Sequence, residues 1–115
     1  MKYINIAYDY EYDDDDNLID MGTVDVVLVP DYVHDNLEEF ARQFNYWVGD
    51  EVYFGDKKKH PEYWAQLENG EVCMNVGTEH FVNWLNDNYF HCEHQKCKIV
   101  AIEVEYNPQY PTAKF

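Results

Sequence analysis

The chain has 115 residues, 46% apolar and 17% aromatic, with 23 acids against 8 bases and a formal charge of −15. That length builds one domain around one core, the aromatics set it apart from disordered acidic tails, and no apolar run approaches the ~20 residues that span a bilayer. The acid excess argues against direct binding to nucleic acid or an anionic membrane, which both need basic patches.

The acids crowd one end. Residues 1–40 hold twelve of them and one base, Lys2. Residues 2–12 read as the first strand, since Ile4, Ile6, Tyr8, Tyr10 and Tyr12 alternate with Asn5, Ala7, Asp9, Glu11 and Asp13. One face is then apolar and aromatic, the other increasingly acidic. Same-face carboxylates lie about 6.7 Å apart, two rises of roughly 3.3 Å. Residues 13–22 form a polar loop carrying Asp13, Asp14, Asp15, Asp16 and Asp20 and closing on Gly22. Residues 23–29, β-branched and apolar, predict a central second strand, paired antiparallel with the first across the short loop.

A helix follows Pro30. Asp35 with Glu38 has capping-box spacing, and Asp31 offers an earlier start. Leu37, Phe40, Ala41, Phe44 and Val48 make the buried stripe, and Gly49 reads as the C′ residue. Residues 51–55 read as a short strand, and 56–60 as a lysine-rich turn that could instead pair with the aspartate loop. Asn69-Gly70 predicts a two-residue type I′ hairpin with arms 62–68 and 71–76. Thr78 is the expected N-cap of a second helix, with Phe81, Val82, Leu85 and Tyr89 buried and Trp84 flanking. Residues 97–106 read as the last strand, with Lys98, Val100, Ile102, Val104 and Tyr106 on one face and Glu103 and Glu105 turned to water. Residues 107–115 read as an irregular tail. The expectation is a single acidic α+β domain over 1–115, a mostly antiparallel sheet of about five to six strands with two helices, in the order ββαβββαβ.

Serine is absent, which excludes a serine nucleophile. Glycine-rich phosphate loops are absent too. His91, Cys92, His94 and Cys97 are metal-like in type, but their spacing lacks the separated ligand pairs of a zinc finger; whether they bind metal stays open. A Cys–His pair could be assembled from Cys73 or Cys92 with His80 or His91, though nothing in the sequence orients one. Asp13 to Asn17 begins like a calcium loop, yet Leu18 and Val24 stand where an EF-hand needs Gly and Glu. No cofactor is expected. Three cysteines, an odd number, and the lack of a secretory signal pattern fit reduced thiols and a bacterial host cytosol.

Eleven tyrosines and three tryptophans suit a recognition surface. Carboxylates interleaved with tyrosine rings match a surface that meets Arg and Lys. The expected site is Asp9, Glu11, Asp13, Asp14, Asp15, Asp16 and Asp20 with Tyr8, Tyr10 and Tyr12. The favoured reading is a non-enzymatic inhibitor that occupies a basic, nucleic-acid-binding surface of a nuclease or Cas effector. In strategy this resembles the DNA-mimicking anti-restriction and anti-CRISPR proteins of phages and mobile elements, without a motif of any one family. The alternatives are an immunity protein against a basic toxin nuclease, a small thiol- or metal-dependent enzyme, and a structural subunit that forms a homo-oligomer through its aromatics.

Overall fold

The computed structural model describes residues 1–90 and 96–114. The chain forms β1 (Lys2–Ala7), β2 (Glu11–Tyr12), β3 (Leu18–Asp20), β4 (Thr23–Val29), α1 (Asp31–Asp35), α2 (Leu37–Trp47), β5 (Trp64–Gln66), β6 (Val72–Met74), α3 (Thr78–Asn88), β7 (Lys98–Glu105) and β8 (Thr112–Lys114). It is a small α+β fold. A mixed four-stranded sheet runs in the order β7-β4-β1-β8, and β2-β3 and β5-β6 are separate two-stranded hairpins.

The central pair is as expected: β1 and β4 are antiparallel, with Ile4 opposite Val27. On one face of the sheet, Ile4, Ile6, Val27 and Val29 pack against Val33, Leu37, Phe40, Phe44, Phe81 and Leu85 from the helices. Each such large side chain contributes about 1.5–3 kcal/mol by leaving water. Phe44 is the hub, with ring centroids 5.2 Å from Phe81 and 5.4 Å from Trp84.

The first strand is shorter than its alternation suggested. It stops at Ala7, and Ile4, Asn5, Ile6 and Ala7 are all buried, so its second face is not acidic. The C-terminal segment is the reason. It is not irregular: β8 adds in parallel to β1, with Asn5 opposite Thr112. Asn5 Nδ2 donates to the Asn107 carbonyl at 2.7 Å, and Tyr110 lies 5.5 Å from Tyr3, ring to ring.

The first helix is two helices. Asn36 breaks it by donating its side-chain amide to the Tyr32 carbonyl at 2.9 Å, a local alternative to continuing the helix. The earlier start at Asp31 holds, and the capping box does not form: Asp35 faces Lys2 and His34. The buried stripe of α2 is as expected, with Ala41 partly covered. Gly49 ends nothing. Residues Val48–Tyr53 continue as a π-helix where a strand was expected, with Val48 and Val52 buried one turn apart.

The Asn69-Gly70 hairpin forms, but with three loop residues. Leu67 N–H donates to the Glu71 carbonyl at 2.7 Å and Gly70 N–H to the Leu67 carbonyl at 3.0 Å. Only Gly70 takes positive φ, +87°, so the turn is not type I′. It is a turn closed by a left-handed glycine. In α3, Gly77 holds the cap position and Thr78 is the first helical residue; Trp84 is buried and Tyr89 is 46% exposed. On β7, Ile99 is partly buried against the core, whereas Val100 and Ile102 face solvent, the reverse of the expected faces. Irregular register with β4 and a left-handed Glu103 (φ +52°) reset the alternation, and Val104 is partly covered. Among the described residues, no helix is long and apolar enough to cross a membrane.

Candidate functional site

The aspartate loop is the tip of the β2-β3 hairpin, where Glu11 lies opposite Asp20 and Tyr12 opposite Leu18, with an irregularity between. Asp13 builds the turn. Its Oδ1 accepts from the Asp15 and Asn17 N–H groups at 2.9 and 2.8 Å, and its N–H donates to the Asn17 carbonyl at 2.8 Å. The Asn17 N–H bond, more than any other cause, holds the Asp13 carboxyl below its ordinary pKa. Asp16 adopts φ +62° within this turn. Asp20 caps the far side, accepting the Gly22 N–H at 2.9 Å. Gly22 is required twice over: its φ is +64°, and a Cβ there would collide with the Asp9 carbonyl.

Asp13 and Asp20 therefore shape the loop, and Asp14, Asp15 and Asp16 are displayed by it. Asp9, Glu11, Asp14, Asp15, Asp16 and Asp20 are exposed, Asp13 partly so. Among the described residues none of the seven has an ion pair. The contrast with α1 and α2 is direct. There Asp31 meets the N-terminal ammonium at 3.0 Å, Asp35 meets Lys2 at 3.6 Å, and Glu39 pairs with Arg42. The basic turn at 56–60 does not serve the hairpin: Lys57 lies over the Trp64 ring at 4.7 Å and Lys59 approaches Glu51 at 3.9 Å.

Two of the three expected tyrosines join the hairpin. Tyr10 and Tyr12 meet edge to face at 5.6 Å, and Lys114 Nζ stands 5.8 and 5.6 Å from their centroids. It also donates to the Tyr12 hydroxyl at 3.2 Å. Tyr8 turns away, donating its hydroxyl to Asp25 Oδ1 at 3.1 Å. Burial, then the bond to Asp25, raises the Tyr8 phenol pKa.

Asp25 is the residue that sequence reasoning passed over. It is 8% exposed and sits on the core-facing side of β4, in step with Val27 and Val29. Besides Tyr8, it accepts the Thr78 hydroxyl at 2.5 Å and the Glu103 N–H at 3.0 Å. Its signal was present: a single acid within an otherwise apolar and β-branched strand. A second feature gave no local signal, a cleft of about 330 Å³ between the end of α2 and α3, lined by Trp47, Tyr63 and Trp84 with His60 and His80. His80 Nδ1 accepts the Gly77 N–H and Nε2 lies 2.9 Å from the Glu62 carbonyl. With Nδ1 accepting, Nε2 is the ring nitrogen that can donate to the Glu62 carbonyl.

The two described thiols sit in different surroundings. Cys73 is exposed and Cys97 buried, and burial pushes the Cys97 thiol up to about 12. His91, Cys92 and His94 lie outside the described residues. Among the described residues, no group of three or more His, Cys, Asp or Glu is placed to hold a metal ion.

No protein-family model, curated protein or solved structure matches this chain.

Proposed function

We propose that this protein is an acidic inhibitor that occupies a basic, nucleic-acid-binding surface of another protein. The observation that carries the reading is the un-neutralised hairpin. Six carboxylates, Glu11, Asp13, Asp14, Asp15, Asp16 and Asp20, lie on the β2-β3 hairpin and Asp9 just precedes it, none with an ion pair among the described residues, while Asp31, Asp35 and Glu39 on α1 and α2 have theirs. Glu11 and Asp20 stand directly opposite each other in β2-β3, a like-charge pairing that costs stability. A cationic groove would relieve that repulsion on docking, and the same field would speed encounter. Tyr10 and Tyr12 already receive one ammonium, that of Lys114, so their rings suit further Arg or Lys contacts.

The partner is a nuclease or other nucleic-acid enzyme, a Cas effector or restriction enzyme among them, and the setting is a mobile element disarming host defence in the bacterial cytosol. The test is competition. With such an enzyme, the protein should displace DNA or guide RNA, weaken steeply as salt rises, and lose potency when Asp14, Asp15 and Asp16 become Asn. Those three leave the Asp13 turn intact. Inhibition that ignores both salt and the triple substitution would overturn the reading.

A further inference from the structure

We propose that the cleft between the end of α2 and α3 binds a flat, weakly hydrated cation, the guanidinium group of arginine. Its volume, about 330 Å³, is that of a small-ligand site. Trp47, Tyr63 and Trp84 contribute aromatic lining, and the exposed Glu62 and Asp87 stand at its rim. Aromatic rings and carboxylates together select a cation over a neutral or anionic ligand. Guanidinium fits better than ammonium, because it is planar, stacks on rings and gives up water more readily.

The cleft's own charges point the same way. No lysine or arginine lines it among the described residues. Lys57 and Lys59 on the adjoining turn are engaged with Trp64 and Glu51. His80 is fixed by its two backbone partners, and its ring stacks on Tyr63 at 4.2 Å. His60 stands edge-on to Trp47, with Nδ1 3.7 Å from Glu62. The Tyr63 phenol is pushed up to about 12, by burial first and then by the charges of Glu62 and Asp87. These residues are separate from the hairpin, and the two proposals fail independently.

The guanidinium could belong to free arginine or to an arginine residue of another protein. The experiment titrates the intact protein with N-acetyl-arginine-amide, free arginine and the neutral isostere N-acetyl-citrulline-amide, following the Trp47 and Trp84 indole N–H resonances. Saturable shifts with the arginine probes, and none with citrulline, are expected. A blocked probe that binds tighter identifies an arginine residue as the ligand, and tighter free arginine identifies the amino acid. The Glu62→Gln/Asp87→Asn double variant should bind at least about tenfold more weakly, since it loses charged acceptors. Equal binding of citrulline by the unaltered protein, absence of saturable shifts, or undiminished binding by a folded double variant would each overturn the proposal.

Discussion

The Thr78 hydroxyl donates to Asp25 Oδ2 over 2.5 Å, tying the first residue of α3 to the middle of β4. With Tyr8 and the Glu103 N–H on the other oxygen, three donors converge on one buried carboxylate. The left-handed Glu103 is placed to give its N–H to this knot, which accounts for an uncommon φ in a non-glycine residue. Thr78→Val removes a donor to a buried charge and should cost about 1–3 kcal/mol in chemical denaturation. Tyr8→Phe should cost less, because Tyr8 is 41% exposed. Equal stability of Thr78→Val and the unaltered protein would mean that the knot is not holding α3.

Asp13 makes the hairpin turn sensitive to acid. Its folded pKa lies below the ordinary 3.8, so its contribution is complete above pH 3.8 and fades as pH falls through the lower folded value. An NMR carboxyl titration should place the Asp13 midpoint below 3.8, with the Asp15 and Asn17 amide signals moving together with it. Asp13→Ala should broaden or shift those amides even at neutral pH.

Uncompensated hairpin charge predicts a salt response. Raising sodium chloride screens exposed like charges within roughly a Debye length, about 10 Å at 0.1 M. The melting temperature should therefore rise with salt, and replacing Asp14, Asp15 and Asp16 by Asn should raise it at low salt and flatten the dependence. A salt-independent melting temperature would show that the carboxylates do not repel one another in the free protein.

Two glycines separate conformational strain from collision. Gly70→Ala meets no atom but must hold φ +87°, a left-handed geometry that costs a side chain roughly 1–2 kcal/mol. Gly22→Ala adds a clash with the Asp9 carbonyl to a similar φ, so its loss of stability should be the larger. Thermal melts of the two variants compare them directly.

Buried Asn5 ties β1 to the C-terminal segment. Asn5→Ala leaves the Asn107 carbonyl without this donor and should cost about 1–3 kcal/mol. Amide exchange should then speed up in Thr112–Lys114 before it does in β4.

The sequence by itself determined the elements whose instructions are local. A continuous run of β-branched, mostly apolar residues makes β4, the Leu37–Phe40–Phe44 spacing makes α2, and Asn69-Gly70 makes a hairpin, because composition, periodicity and turn chemistry act over a few residues. The exposed aspartates of the hairpin tip were legible for the same reason. Only the tertiary structure decided that β8 lies beside β1, that Asn5 and Ala7 are buried, and that Asp25 gathers Tyr8, Thr78 and Glu103. These depend on partners up to about a hundred residues away, and a strand's own pattern cannot say what covers its second face. The aromatic cleft is the extreme case, since Trp47, Tyr63 and Trp84 come from three segments and meet only after α2 and α3 have packed around Phe44.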